Sequence, residues 1–256
     1  MFRTIMTSKT GMNANQNKLD AISNNLANST TTGYKKINVG FKSLLQESLN
    51  RQGYPVNDKN SDMGTGVRAT DWFRDGTQGD MLESGTDTDL ALDGKGYFRV
   101  TLADGSKAYT RDGSFKIDKS GQLVDEKGNK VDIEFADGRS YDNTKLKEDN
   151  FMVKQDGNIY MNSDGAFVKI GTIPVYTAVG DQAFTAVGEN LFVPSEGVQV
   201  ETTTDVNIEQ GFLEGSNIDM STEFTDMIVA QRAFQLSSKS LETADEMWGM
   251  INNMRK

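Results

Sequence analysis

One spacing appears at both ends of the chain. Ile5, Met12, Leu19 and Leu26 fall every seven positions, with Ile22 on a neighbouring row. Met220, Met227, Phe234, Leu241 and Trp248 repeat the interval near the other end. A seven-residue apolar repeat draws one narrow line along a helix, and that line needs a second helix to cover it. The spacing predicts a helix over 1–30 and another over 218–254. Ser29-Thr-Thr-Thr-Gly33 ends the first, because Gly33 can take the left-handed conformation found after helix ends. Ser221 or Thr222 is a candidate N-cap for the second. At 1.5 Å per residue the second helix runs roughly 50 Å. The simplest use of two such lines is to pack together, or against copies from neighbouring chains. The ten heptad and neighbouring residues named above are therefore the candidates for inner-helix packing and polymerisation.

Between the ends the period changes. Asp-Gly recurs at 75, 93, 104, 112, 137, 156 and 164. Asp-Gly between short alternating segments is a hairpin signal. Strands are predicted at Leu90–Leu92, Tyr97–Leu102, Ala108–Arg111, Ser114–Ile117, Phe151–Lys154, Asn158–Met161, Phe167–Thr177 and Leu191–Val193. Their spacing suits an antiparallel sandwich or open barrel. Residues 50–70 are polar and glycine-rich, and they read as an extended connector. The expected fold class is α+β: N- and C-terminal helices pairing as a coiled-coil-like inner domain, with a central all-β, antiparallel, hairpin-rich outer domain. The expected boundaries are 1–30 for the first helix, 31–70 for the connector, 71–212 for the β domain and 213–256 for the second helix.

Composition narrows the chemistry. Among 256 residues there is no histidine and no cysteine. This excludes serine–histidine and cysteine nucleophile systems, imidazole or thiolate zinc sites, and disulfides. A formal net charge of -10 argues against nucleic acid as a partner. The charge is uneven: residues 1–50 hold six Lys/Arg against Asp20 and Glu47, so the excess of acid lies in the middle. No apolar run approaches the ~20 residues of a membrane span, and no direct membrane insertion is expected. The start has neither an apolar h-region nor a small-residue cleavage site, so no cleaved signal peptide is expected.

The remaining motifs favour turns over sites. Asp118-Lys-Ser-Gly-Gln-Leu-Val-Asp125 lacks the alternating oxygens of a calcium loop, and Asp87-Thr-Asp89 lacks further ligands. Gly64-Thr-Gly66 and Gly94-Lys-Gly96 are too short to cradle a phosphate. Paired carboxylates could run a glycosidase without histidine. However, Trp72 and Trp248 lie in different parts of the chain, and no aromatic cluster marks a sugar cleft. No catalytic site, metal or cofactor is expected.

Longer motifs are more specific. Ser23-Asn-Asn-Leu-Ala-Asn28 with Thr32-Gly-Tyr-Lys35 resembles the N-terminal signature of the flagellar axial proteins, the rod, hook and hook-junction family. Leu213-Glu-Gly-Ser-Asn-Ile-Asp219, Glu223 and Met227–Phe234 resemble its C-terminal signature. Gly64-Thr-Gly-Val-Arg68, Gly76-Thr-Gln-Gly79, Asp89–Phe98 and Tyr109-Thr-Arg-Asp-Gly-Ser-Phe115 agree with its middle. The resemblance covers nearly the whole chain, with a less typical stretch near 132–150. Its length and lack of a large inserted outer domain are most similar to a distal rod subunit. Proximal rod and short hook proteins are its neighbours.

The resemblance implies that paired terminal helices form the inner layer of a hollow helical tube of identical subunits. It implies contacts with other rod proteins and with hook or hook-junction proteins. It also implies passage through the flagellar type III export apparatus without signal cleavage, and location in the basal body. Asn24, Asn25, Asn28, Gly33 and Tyr34 then form the signature turn, with the asparagines satisfying backbone groups where the helix ends. Phe41-Lys-Ser-Leu-Leu45 resembles an export element, through Phe41 and Leu45. A reading from another class, a secreted carboxylate hydrolase, would require a cleft holding close acids.

Overall fold

A computed structural model of the chain describes residues 2–44, 46–48, 62–136, 140, 141, 144, 146, 147, 150–163, 166–180, 183–188 and 190–254. The chain divides into two compact units, and it passes between them at 27/28, 36/37, 73/74 and 218/219. The first unit takes residues 1–27, 37–73 and 219–256, and the second takes 28–36 and 74–218.

In the first unit, helix α1 spans Phe2–Ala27 and helix α2 spans Met220–Met254. The two pack together. Ser8 Oγ donates to Ser240 Oγ at 3.1 Å, and Asn25 Nδ2 donates to Glu223 Oε2 at 3.1 Å. These two contacts lie equally far apart along both helices and run in opposite directions, so the pair is antiparallel and stays in step. The N-cap of α2 is Asp219, not Ser221 or Thr222. Its carboxylate accepts the Ser221 N–H at 3.0 Å and the Thr222 hydroxyl at 2.5 Å, and its carbonyl takes the Glu223 N–H at 3.0 Å. The carboxylate, one step upstream, reaches donors that the hydroxyl residues supply.

Within 37–73 the chain forms a two-stranded arm. Phe41–Ser43 pairs with Val67–Ala69, and Gln46–Ser48 pairs with Asp62–Gly64, all antiparallel and in one register. The Leu44 N–H donates to the Gly66 carbonyl at 2.9 Å and bridges the two ladders. The sequence here is polar and rich in glycine, with no alternating apolar face. Backbone pairing in such a segment leaves no period-two signal.

The second unit is antiparallel β throughout its described pairings. One sheet runs in the order Lys116–Ile117, Leu123–Val124, Lys130–Val131, Phe98–Thr101, Lys107–Thr110, Leu191–Pro194, Phe184–Gly188. Another runs Glu134–Phe135, Ala166–Thr172, Asn158–Ser163, Phe151–Val153. The expected single strand Phe167–Thr177 is two. It breaks at Ile173-Pro174, since proline cannot donate to a ladder. Its first half stays in the four-stranded sheet, and Val175–Ala178 pairs instead with Val200–Thr203.

Alternation builds the core of this unit. Leu90, Leu92, Phe98, Val100, Phe115, Leu123, Ile159, Ile170 and Ile208 are all buried in one cluster. The rings of Phe98 and Phe115 meet edge-on, with centroids 5.2 Å apart. Tyr97, Tyr109, Tyr176, Phe184 and Phe192 form a second, aromatic cluster. Burial pushes the Tyr176 phenol up to about 12, so it stays a neutral ring across the ordinary pH range.

Candidate functional site

The helix pair of the first unit is closed by small side chains. Ser8, Ala14, Ala21, Ile22 and Asn25 are buried on α1, and Glu223, Ala230 and Ala244 on α2. A Cβ placed on Gly11 would lie 3.3 Å from Ser237 Oγ, so the helices approach closely at that level. Glu223, Ala230, Ser237 and Ala244 keep the seven-residue interval. This line stands three positions after the one marked by Met220, Met227, Phe234 and Leu241, a turn of about 60° around the helix. The large apolar residues sit at its margin: Ile5, Met12, Leu19, Leu26, Met227, Phe234 and Leu241 are half-buried. Met220 and Trp248 are 47% and 55% exposed. Beyond them, Phe224, Ile228, Val229, Leu236, Met250 and Met254 are also exposed. A single chain thus leaves these large apolar side chains of α2 uncovered.

The end of α1 is fastened inside the first unit by one side chain. Asn25 is 1% exposed, and its amide meets both backbone groups of Ile37. Its Oδ1 accepts the Ile37 N–H at 2.8 Å, and its Nδ2 donates to the Ile37 carbonyl at 2.9 Å. The side chain imitates a strand partner and satisfies two groups that would otherwise be buried bare. Asn24 is exposed. Phe41 is 45% exposed on the first strand of the arm, and Leu45 lies outside the described residues.

In the second unit, Asn28 shapes the turn after the helix. The Thr31 N–H donates to its carbonyl at 3.2 Å, and the Thr31 hydroxyl to its Oδ1 at 3.3 Å. Gly33 has φ +65°, and a Cβ there would lie 2.6 Å from Arg111 C and Asp112 N. Its N–H donates to the Glu214 carbonyl at 2.7 Å. Glycine is required on both counts, conformation and space. Tyr34 is buried, with the Arg74 guanidinium 5.5 Å from its ring centre.

Beside this turn lies a buried charge cluster that sequence reading did not single out. Lys35, Arg111 and Glu214 are 2%, 3% and 1% exposed. Lys35 Nζ donates to Glu214 Oε1 at 2.6 Å and to the Thr77 carbonyl at 2.7 Å. Arg111 Nη1 donates to Glu214 Oε2 at 3.0 Å, and Nη2 to the Gly94 carbonyl at 2.6 Å. The Gly79 N–H also donates to Glu214 Oε1, at 2.9 Å. Burial pulls the Lys35 amine below its ordinary value, and the Glu214 carboxylate opposes that fall only in part. Asn217 completes the junction: its Oδ1 accepts the Lys36 N–H at 2.7 Å, and its Nδ2 reaches the carbonyls of Asp75 and Thr77 at 3.1 Å each. Lys35, Arg111 and Glu214 each sit inside a motif named above, but they are far apart in sequence and no local spacing connects them.

Lys35 and Glu214 hold backbone or another member of the cluster, and Arg111 holds Glu214 and the Gly94 carbonyl, while Arg111 Nε is buried without a hydrogen-bond partner among the described residues. What the geometry does is tie segment 28–36 to segment 213–217, where the chain enters and leaves the second unit.

Three family models match along the chain. "Flagella basal body rod protein" matches residues 5–35, "Flagellar hook protein FlgE/F/G D1 domain" residues 91–161, and "Flagellar basal body rod FlgEFG protein C-terminal" residues 209–254. The flagellar basal-body rod protein FlgG of Borreliella burgdorferi is 34% identical over 269 residues, with 100% of both chains covered. The chain belongs to the flagellar basal-body rod family. The FlgG protein of Bacillus subtilis is 33% identical, and the hook-basal body complex protein FlhP of the same organism 28%, each with 100% of both chains covered. In rod-family terms, the N-terminal and C-terminal matches fall on α1 with its turn and on α2 with its lead-in strands. The D1 match falls on the β unit. The Lys35 and Glu214 partners lie in the two terminal matches, and Arg111 lies in the D1 match. No described helix is long and apolar enough to cross a membrane.

Proposed function

We propose that this chain is a structural subunit of the bacterial flagellar rod, most similar to its distal part, which polymerises helically into a hollow shaft that transmits torque from motor to hook. The observation that carries the reading is the exposed apolar face of α2, together with full-length similarity to FlgG proteins. In this reading α1 and α2 form a coiled-coil-like inner layer. The small-residue line closes the pair within one subunit, while the half-buried and exposed residues (Ile5, Met12, Leu19, Leu26, Met220, Met227, Phe234, Leu241, Trp248) meet neighbouring subunits. Such head-to-tail contacts do not close, and so they build a filament. Its partners are copies of itself, other rod proteins, and hook or hook-junction proteins.

The chain carries out no reaction in this account. It reaches the basal body through the type III export apparatus without losing a signal peptide. Phe41 and Leu45 are the proposed export element. The buried charge cluster supports the mechanical role, because within the β unit it holds together the segments by which the chain enters and leaves that unit.

Sedimentation velocity with circular dichroism, on the full chain at rising concentration, tests the reading. Growth into large filaments with a gain of helical signal is expected. A chain that stays monomeric and fully helical at every concentration would refute it.

A further inference from the structure

The four-stranded sheet has one face in the core and one face open. Cross-strand pairing places Met152 opposite Tyr160, Tyr160 opposite Lys169, and Asn162 opposite Phe167. Alternation along the strands puts these residues, with Lys154, on the open face. Phe151, Val153, Ile159 and Ile170 are buried on the other side. Met152 is 42% exposed and Phe167 is 59% exposed. The Lys154 ammonium stands 4.6 Å from the Tyr160 ring centre. The face therefore joins two large apolar side chains and two lysines that flank Tyr160, with Glu134 on the outer strand and Asp156 in the adjoining turn as its acids.

The same unit carries the opposite composition elsewhere. No lysine or arginine lies between Arg74 and Lys95, or between Lys169 and Arg232. The two stretches pair with each other. Met81–Glu83 lies against Phe212–Glu214, and Leu90–Asp93 lies against Asn207–Gln210. Glu83, Asp87, Asp93 and Asp205 are exposed along this ladder.

We infer that the open face of the four-stranded sheet docks the acid-lined ladder of a second copy of this chain. The inference rests on the assembly reading above and assigns one of its contacts. Charge complementarity selects the occupant. Two lysines beside exposed Met152 and Phe167 suit an acidic protein surface, and too few bases are present for a nucleic-acid backbone or an anionic lipid surface. In a polymer the nearest acidic surface is the neighbouring copy. Apolar residues at the centre supply burial, and the charges select the register.

The test is charge reversal in the full chain, followed by sedimentation of assembled material across a range of protein concentrations. The variant with Lys154→Glu and Lys169→Glu is expected to raise the concentration needed for assembly by about tenfold, and the variant with Glu83→Lys and Asp93→Lys by a similar factor. The chain carrying all four changes is expected to recover most of the loss. These residues are exposed, so the melting temperature of each free variant should match the parent. Phe167→Ser serves as a second probe that leaves the charges in place, and it should weaken assembly at every salt concentration. Parent-like assembly of both reversed pairs overturns the inference and leaves the assembly reading standing. Failure of the four-change chain to recover, with its fold intact, also overturns it. Absence of assembly by the parent itself removes both.

Discussion

The two units solve the burial problem in opposite ways. The β unit surrounds large side chains: Phe98, Phe115, Leu90 and Ile159 have 1% exposure or less. The helix pair buries Ala14, Ala21, Ala230 and Ala244 and leaves Phe224, Ile228 and Leu236 in solvent. At ~25 cal/mol per Å2 of apolar surface, a seam of alanine and serine yields far less than a core of phenylalanine and isoleucine. The β unit therefore forms its main core within one chain. In the proposed assembly the helix pair holds its exposed apolar side chains for a partner. Burial within one chain then does not rank residues by importance, because the proposed contacts fall on exposed residues.

The largest expected effect lies in the β unit. Glu214→Ala leaves Lys35 and Arg111 buried without their shared carboxylate, and should cost about 3–5 kcal/mol. Denaturant unfolding of the full chain measures it, and a loss below about 1 kcal/mol would show the cluster to be dispensable. Gly33→Val forces a β-branched residue to positive φ against the Arg111–Asp112 backbone, and should cost about 1–3 kcal/mol in the same experiment.

Ala230→Leu tests the other side of the comparison. Overfilling the seam should cost the helix pair about 1–3 kcal/mol. Far-ultraviolet dichroism should show early loss of helix, while the β transition stays where it was. Leu236→Ser should change monomer stability by no more than about 0.5 kcal/mol, yet reduce assembly sharply. Unchanged assembly would move Leu236 off the contact surface.

Asp112 gives the smallest effect, and a pH dependence. Burial lifts its carboxyl above the ordinary carboxylate range, against the hydrogen bonds it accepts from Thr32 and the Ser114 N–H. A raised folded value means that its contribution is complete below about pH 4 and is lost as pH rises through the folded value. Asp112→Asn keeps both acceptor contacts and removes the charge. The variant should be more stable than the parent at pH 7 by about 0.5 kcal/mol, and the gap should close on acidification. A gap that widens toward pH 4 contradicts the assignment.

Periodicity made the helices legible, because 26 and 35 residues of helix repeat their pattern many times. The buried line on α2 runs through Glu223, Ala230 and Ala244 instead, because small side chains let the two helices approach closely and leave the apolar bulk at the margin. The Asp-Gly turns at 104 and 156 fall in hairpins, Phe98–Thr101 with Lys107–Thr110 and Phe151–Val153 with Asn158–Ser163, while those at 75, 93 and 112 join strands that do not pair with each other. They missed Met81–Glu83, Asn207–Gln210 and Phe212–Glu214, whose partners are distant in sequence. The arm at 41–48 and 62–69 was missed for another reason: its ladder is made by backbone, with no apolar face to announce it. Asn25 and Gly33 were named from the sequence; in the structure Asn25 holds both backbone groups of Ile37, and Gly33 takes a positive φ. The Lys35–Arg111–Glu214 cluster was not legible there, because it joins residues 35, 111 and 214, which no local pattern connects.

Hydrogen exchange on the full chain, free and assembled, tests the contrast between the units most directly. In the free chain, amides of α1 and α2 should exchange far faster than those of Phe98–Thr101 and Lys107–Thr110, and assembly should slow the helices by about a hundredfold or more with little change in these core strands. Helices as protected as the β core in the free chain, with no gain on assembly, would contradict the account.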